Sequence, residues 1–332
     1  MTTWMFRIPA IMTCDELLDT AFKRVSKVSV GGRNKKEIAK KTSIKKIDVL
    51  NDVIVSTLTR YQKKSSSVDS LHPFYFEIVD ILVGKDDLKR SLGALKWCAE
   101  KSSEIRRTYI KRVRIARNHA EIEALRKEAF GRISSLLKQT SSKLDFLIEA
   151  KKRLRKMPSI DPSVPTIVIA GYPNVGKSLI VRAMSSGKPR VENYPFTTKK
   201  VSLGHFDKDR TRFQVIDTPG LLDREMAERN EIERQAIAAL RFLAHSIVFV
   251  LDMTETCGYE VAKQESLMRD ISEQFQDIPL VAVENKSDLM RRDSPRLQMS
   301  ALTGDGVEEV RRVAAEAAIS RALEVARAQE SR

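Results

Sequence analysis

Gly171-Tyr-Pro-Asn-Val-Gly-Lys177-Ser178 has the spacing G-x-x-x-x-G-K-[ST], which sets two glycines, a lysine and a hydroxyl around a chain of phosphates. The glycines let backbone N–H groups turn inward, and a helix starting at Lys177 points its positive end at the same anion. Lys177 can reach the β- and γ-phosphates, and the Ser178 hydroxyl is placed to ligate Mg²⁺. Asn174, Val175, Gly176 and Leu179 complete the nucleotide-binding turn. The plain alternative is a chance match in a Gly-containing turn. The flanks argue against it: the apolar run Thr166–Ala170 reads as a buried strand, and Leu179–Met184 as a helix.

Further along, Asp217-Thr-Pro-Gly220 follows the apolar run Phe213–Ile216. A carboxylate there can hold the Mg²⁺ hydration shell, and the Gly220 N–H can sense a γ-phosphate. Tyr194-Pro-Phe-Thr-Thr198 lies between the two motifs, and the Thr198 hydroxyl could complete the Mg²⁺ coordination. Asn285-Lys-Ser-Asp288 comes directly after the strand-like run Pro279–Glu284. The Asp288 carboxylate can accept from a guanine's ring N–H and its exocyclic amine, which adenine does not offer in that geometry. A buried carboxylate left unpaired is costly, so this residue selects GTP over ATP. Lys286 would lie along the base plane, and Asn285 would tie this loop to the phosphate loop. Ser300-Ala301-Leu302 can present a backbone N–H to the guanine carbonyl. Each motif alone is weak. In this order, most of them at a strand end, they predict a GTP-binding domain.

These residues need a sheet to hold them. From Val164 onward strand and helix patterns alternate, as in a parallel α/β sheet whose ligands sit outside the carboxyl ends of the strands. Expected strands are Thr166–Ala170, Lys200–Phe206, Arg212–Asp217, Ser246–Asp252, Pro279–Glu284 and Arg296–Met299. Expected helices are Lys177–Ser186, Glu225–Ala244, Glu260–Phe275 and Gly306–Gln329. The first half reads differently. Thr13-Cys-Asp-Glu16 is a capping box, Lys35–Gln62 has helical apolar spacing, and His72-Pro73 opens a short helix through Leu82. Between Asp86 and Lys156 there is no proline, and breaks are expected near Asn118 and Ser141. The prediction is an all-α helical bundle over 1–157, a linker over 158–165 with three prolines, and a Ras-like P-loop GTPase domain over 166–332.

Charge separates the same halves. Of 59 Lys/Arg and 44 Asp/Glu, residues 1–160 hold 35 and 18, a net of +17. Residues 161–332 hold the remaining 24 and 26, a net of −2. Such asymmetry points to a nucleic-acid partner for the helical half. Lys101–Arg117 carries seven Lys/Arg interleaved with apolar residues, which suits either phosphate contacts or a solvated helix face. The paired lysines from Lys35 to Lys46 recur every five residues and spread around a helix, so solvation is the better reading for them. Three scattered cysteines argue against structural disulfides. The apolar run Trp4–Met12 is interrupted by Arg7 and Pro9 and is too short for a signal sequence or a span, so a cytoplasmic protein with no membrane partner is expected. The four histidines have no metal or nucleophile spacing and read as structural.

The segment Gly171–Leu222 resembles the Obg-related GTPases, with their Pro-Asn phosphate loop and Tyr-Pro-Phe-Thr-Thr switch. More narrowly, Leu71-His-Pro-Phe-Tyr75, Leu154-Arg-Lys-Met-Pro-Ser-Ile-Asp-Pro162, the phosphate loop, Gly204-His-Phe206 and Cys257-Gly258 are similar to the nucleolar GTP-binding protein 1 family. The match runs from about residue 70 to 290, and the chain looks like a short archaeal form without the long C-terminal extension. That resemblance implies GTP/GDP and Mg²⁺ as ligands and a role in assembly of the large ribosomal subunit. It implies a large-subunit precursor, rRNA and ribosomal or assembly proteins as partners of a monomeric chain. By the same resemblance Lys177 and Asn174 bind phosphates, Ser178, Thr198 and Asp217 bind the metal, and Asp217 and Gly220 form the γ-phosphate switch. Asn285, Lys286, Asp288, Ser300 and Ala301 read the guanine, and Asn174 helps to bind K⁺.

Two departures stand out. The position after Gly220, where a Gln often orients the attacking water, is Leu221, followed by Leu222. Slow intrinsic turnover is expected. Only eleven residues separate Asp288 from Ser300, too few for the helix that such GTPases usually carry there. Two other readings stay open: an Obg-like stress or nucleotide-sensing GTPase working through protein partners, and a scaffold that holds GTP without turning it over.

Overall fold

The computed structural model describes residues 8–65, 68–155, 157, 160–193, 200–217, 222–223 and 229–330. The chain divides into two compact units, one of residues 6–70 and 82–155, the other of residues 1–5, 71–81 and 156–332.

The first unit is helical. Its elements are α1 (Cys14–Ser26), α2 (Lys35–Lys64), α4 (Lys85–Ile115), α5 (His119–Gln139) and α6 (Ser141–Leu154). Local chemistry explains the boundaries. The Thr13 hydroxyl accepts from the Glu16 N–H at 3.3 Å while the Glu16 carboxylate accepts from the Thr13 N–H at 2.8 Å, so two orphan donors at the start of α1 are satisfied. Asn34 and Asn118 cap α2 and α5 by accepting from Glu37 and Glu121. The long helices α2 and α4 pack against each other, with Ile47, Leu50, Ile54, Leu58, Leu88 and Leu95 fully buried. One polar pair sits in that core: the Ser102 hydroxyl donates to Asn51 Oδ1 at 2.9 Å.

The second unit holds a seven-stranded sheet in the order β2-β3-β4-β1-β5-β6-β7. The strands are β1 (Thr166–Ala170), β2 (Arg190–Asn193), β3 (Lys200–Lys208), β4 (Thr211–Asp217), β5 (Ser246–Asp252), β6 (Leu280–Asn285) and β7 (Leu297–Gln298). Its helices are α3 (Pro73–Val83), α7 (Lys177–Met184), α8 (Glu231–Leu240), α9 (Val261–Gln274) and α10 (Val307–Glu330). From β4 through β1, β5 and β6 to β7 the pairing is parallel, whereas β2–β3 and β3–β4 are antiparallel. The sheet is therefore mixed, not wholly parallel, and β2 is an added edge strand that the alternating pattern did not announce. The hairpin between β3 and β4 turns on Asp209-Arg210, both at positive φ (49° and 64°), the geometry that suits a two-residue hairpin loop.

Two features differ from the domain division read along the chain. The segment 71–81, which lies between helices of the first unit in sequence, groups with the sheet. Its buried face (Phe74, Tyr75, Ile78, Val79) explains why: the Tyr75 hydroxyl donates to the Ile160 carbonyl at 2.6 Å and accepts from the Ile160 N–H at 3.1 Å. The proline-rich connection is also docked. Ile160 is fully buried, and the buried Gln214 side chain on β4 holds both the N–H and the carbonyl of Asp161, at 3.1 and 2.6 Å. The chain turns over Asp161–Val164, where the Val164 N–H donates to the Asp161 carbonyl at 3.3 Å, and Pro162 and Pro165 bring no N–H that would need a partner.

Candidate nucleotide-binding site

The sequence motifs converge where the parallel strands end. After β1 the backbone turns through Gly171 (φ 132°), Asn174 (φ 62°) and Gly176 (φ 102°) before α7 starts at Lys177. A Cβ at Gly171 would strike the Val250 carbonyl, and one at Gly176 would strike the Asn285 side-chain amide, so glycine is needed at both for close approach as well as for φ. Lys177 is buried, and its ammonium donates to the carbonyls of Gly171 and Tyr172, each at 2.7 Å. The loop thus curls around its own lysine and holds the charge at its centre. Asn174, Ser178 and Leu179 face solvent on the loop and first turn of α7, and Val175 is buried beneath.

Asp217 ends β4 with no exposure, and the Ser178 hydroxyl donates to its Oδ2 at 2.5 Å. A hydroxyl and a carboxylate side by side are hard oxygen donors of the kind Mg²⁺ takes. The Gly171 N–H donates to the Leu222 carbonyl at 3.0 Å, which ties the chain after Asp217 back to the phosphate loop. Leu222 is buried and apolar and cannot orient a water. Thr198, Gly220 and Leu221 lie outside the described residues.

Asn285 closes β6 and bridges two loops. Its Nδ2 donates to the Val175 carbonyl at 2.8 Å, and its Oδ1 accepts from the Ala301 N–H at 3.0 Å. Phosphate loop, guanine strand and the Ser300-Ala301 turn are joined through this one amide. The bond engages the Ala301 N–H, one of the backbone donors of the Ser300-Ala301-Leu302 turn, and makes Ala301 a tie between loops. Ser300 is buried, with its N–H donating to the Asp305 carbonyl and its hydroxyl accepting from the Thr303 N–H. Asp288 stands exposed on the turn after β6, open to a base.

Lys286, at φ 65°, sends its ammonium to Asp252 Oδ2 (2.6 Å) and the Thr256 hydroxyl (2.8 Å). Asp252, at the end of β5, also accepts from the Thr254 and Cys257 N–H groups. Burial opposes its charge, but the Lys286 ammonium, the Thr254 hydroxyl and those N–H donors outweigh it and hold the carboxyl at about 2. Sequence reasoning missed Asp252. The available signal was a carboxylate at a strand end followed by Thr254, Thr256 and Cys257.

Between Asp288 and Ser300 there is no helix. Instead Arg292 reaches back to Glu284 on β6, Nη2 to Oε1 at 2.7 Å and Nε to Oε2 at 3.3 Å, and Ser294 donates to the same carboxylate at 2.9 Å. Glu284 is nearly fully buried. Burial alone would raise its pKa, but Arg292, Ser294 and Arg296 hold it below the usual carboxylate range. A bidentate ion pair thus stands where a helix would otherwise cover this flank. The Ser287 N–H donates to the Met299 carbonyl at 3.1 Å and seats the guanine turn on the extension of β7.

A family model for the NOG1 N-terminal helical domain matches residues 6–161, and one for a 50S ribosome-binding GTPase matches residues 166–286. An uncharacterized protein of Methanocaldococcus jannaschii is 38% identical over 288 residues, 86% of this chain and 81% of its own length. Nucleolar GTP-binding protein 1 of Arabidopsis thaliana is 33% identical over 302 residues, covering 81% of this chain and 45% of that protein. The Saccharomyces cerevisiae protein of that name is 30% identical over 287 residues, covering 86% and 44%. This chain therefore spans about half the length of those named relatives. With a P-loop GTPase domain that implies GTP or GDP as the bound nucleotide, following a helical domain of this type, the chain belongs to the nucleolar GTP-binding protein 1 family.

Proposed function

We propose that this protein is a Mg²⁺-dependent GTP hydrolase that switches its affinity for a large ribosomal subunit precursor, with the helical unit on rRNA. The observation that carries the nucleotide reading is the double bond set of Asn285 to Val175 and Ala301. It makes phosphate recognition and guanine recognition one mechanical unit, so that neither loop is positioned without the other. Asp288, exposed beside it, supplies the two acceptors that guanine requires.

In this reading water attacks the γ-phosphorus as the bond to the β–γ bridging oxygen breaks, leaving GDP, phosphate and a proton. Lys177 supplies positive charge to the β- and γ-oxygens, and the Gly176 turn and the start of α7 supply N–H donors. Ser178 and Asp217, with Thr198, would hold Mg²⁺, which when bound neutralises charge developing on the phosphates. Leu221 and Leu222 offer no hydrogen bond to the attacking water, so turnover by the isolated protein is slow. Asn174, exposed on the loop, is the residue through which K⁺ would assist. The ribosomal reading is supported by the family names and by α4, where Arg107, Lys111 and Arg114, with Arg117 just past its end, are exposed and in no ion pair among the described residues. Lys101, Arg106 and Arg112 pair with Glu104, Asp48 and Glu128. No helix among the described residues is long and apolar enough to cross a membrane.

The test of the nucleotide reading is Asp288→Asn. An amide donates where the carboxylate accepts, so GTP affinity is expected to fall about a hundredfold while xanthosine triphosphate binds better than it does to the wild type. Unchanged GTP affinity would sink the assignment. For the ribosomal role, RNA crosslinking of the GTP-locked protein in cells should give large-subunit rRNA, and its absence would overturn that part. RNA binding insensitive to salt would favour a protein partner for the helical unit instead.

A further inference from the structure

The outer part of the sheet carries a positively charged groove, one end of which reaches Ser178 of the phosphate loop. Register places Arg190 opposite Leu203, His205 opposite Gln214, and Asp207 opposite Arg212. Residues paired across strands share a face, so Arg190, His205, Gln214 and Arg212 all lie on one side of β2, β3 and β4. With the turn Ser186–Lys188 they line a basin of about 500 Å³.

The floor is rigid. Gln214 is buried and held by both backbone groups of Asp161 and by the Thr166 hydroxyl at 3.1 Å. The walls are cationic: Lys188, Arg190 and Arg212 are exposed, and none is in an ion pair among the described residues. Two carboxylates stand near. Asp161 is already engaged by the Ser163 N–H (3.0 Å) and hydroxyl (2.6 Å), and Asp207 is exposed on β3. Around half-buried His205 the balance is positive. Burial, then Arg212 and Arg190, hold its imidazole below the usual range, against a Gln214 hydrogen bond and Asp207.

A second basin of about 570 Å³ lies on the other side of the same turn, lined by Ser178, Arg182 and Ser202. Arg182 is exposed and likewise in no ion pair among the described residues. The turn between the basins is fixed, because the Ser186 N–H (2.9 Å) and hydroxyl (3.0 Å) both donate to the His205 carbonyl. It also faces open space, since a Cβ at Gly187 would meet nothing within 4 Å. Four cations thus flank one ridge in a half of the chain whose net charge is −2, so the cluster is not overflow from a generally basic surface. A free phosphate ion would be better held by an enclosed pocket. Two open basins joined over a glycine suit an extended polyanion with repeating phosphates, and arginine forks match phosphate oxygens.

We propose that this groove binds the phosphodiester backbone of an RNA strand, giving the GTPase unit an RNA contact of its own. The proposal rests on the ribosomal reading above. The test uses the full chain with the triple variant K188E/R190E/R212E, in filter binding to large-subunit rRNA across a salt series. Binding of a fluorescent GDP at wild-type affinity shows that the variant is folded. The slope of log affinity against log salt should fall by about 2 to 3, and affinity near physiological salt by about tenfold to a hundredfold. The charge-conserving R190K/R212K variant should keep the slope. If the triple variant binds like wild type while R107E/K111E/R114E on α4 loses binding, the groove is refuted and the ribosomal reading stands. Absence of salt-dependent binding by the wild type defeats both. In ¹⁵N-histidine-labelled protein, with His205→Gln giving the assignment, rRNA should raise the His205 pKa by bringing negative charge beside it. A rise with polyglutamate but not with RNA, or an equal rise with inorganic phosphate at matched phosphate concentration, overturns the RNA assignment.

Discussion

The Lys286 ammonium lies 2.6 Å from Asp252 Oδ2, and the carboxylate it meets has no solvent exposure. The pair links the turn after β6 to the end of β5 and fixes the direction of the Lys286 stem. A lysine held this way gives up its rotamer freedom on folding rather than on nucleotide binding.

Asp252 links this geometry to pH. Its folded pKa of about 2 lies below the ordinary 3.8, so the pair contributes stability that is fully present above about pH 4 and is lost as pH falls from there through 2. The contribution is roughly 2 kcal/mol. Asp252→Asn should lose about that much in urea unfolding at pH 7, and the gap to wild type should narrow at pH 3.5. Nucleotide affinity should drop about tenfold with it, since Lys286 is released. A gap of equal size at both pH values would argue against the linkage.

Gly176 lies directly under the Asn285 side-chain amide, with no room for a Cβ. Gly176→Ala must push the Asn285 amide away from its bond to the Val175 carbonyl and hold alanine at φ 102°. The strain is about 1–3 kcal/mol. Calorimetry with GDP should show binding weakened at least a hundredfold, more than the loss in thermal stability accounts for. Near-normal affinity would mean that the bridge is not needed.

Glu284 anchors the segment 286–298, where no helix stands, through Arg292 and Ser294. In Glu284→Gln the charge that Arg292 pairs with is gone while the side-chain shape remains. Glu284 is buried but Arg292 is 42% exposed, so solvent screening cuts the cost of breaking the pair to about 1–2 kcal/mol. Because the native carboxyl is held below its usual range, the wild-type advantage should be present at neutral pH and shrink as pH falls through the carboxylate range. Hydrogen exchange should quicken across residues 286–298 in the variant, and unchanged exchange would contradict the role.

Tyr75→Phe tests whether α3 is held to the sheet unit. The change removes the hydroxyl that serves both backbone groups of Ile160 and leaves them buried without it. The expected cost is about 1–3 kcal/mol. The loss should appear in the unfolding of the unit that contains β1, with faster exchange at Ile160 and Asp161. Loss confined to α2 and α4 would place α3 elsewhere.

Much of the site was legible because its signals are local. The phosphate loop needs glycine, lysine and serine at set spacings in one turn, and the helix starts at Thr13, Asn34 and Asn118 rest on side chains within four residues of the groups they cap. Asp252, Glu284 and Gln214 were not legible. Each acts on a partner brought to it by strand pairing or by a loop folding back: Lys286 from the turn after β6, Arg292 eight residues on, and Asp161 from 53 residues away.

By itself the sequence determined the nucleotide class, the strand ends that carry its motifs, and the charge contrast between the halves, because spacing and composition are properties of the chain. Only the tertiary structure decided that 71–81 belongs with the sheet, that the proline segment is docked, and that β2 and β3 run antiparallel beside β4. It also decided which partner each buried charge has. These outcomes depend on which surfaces meet, and the free energy of burying a face or pairing a charge exists only once distant segments are in contact.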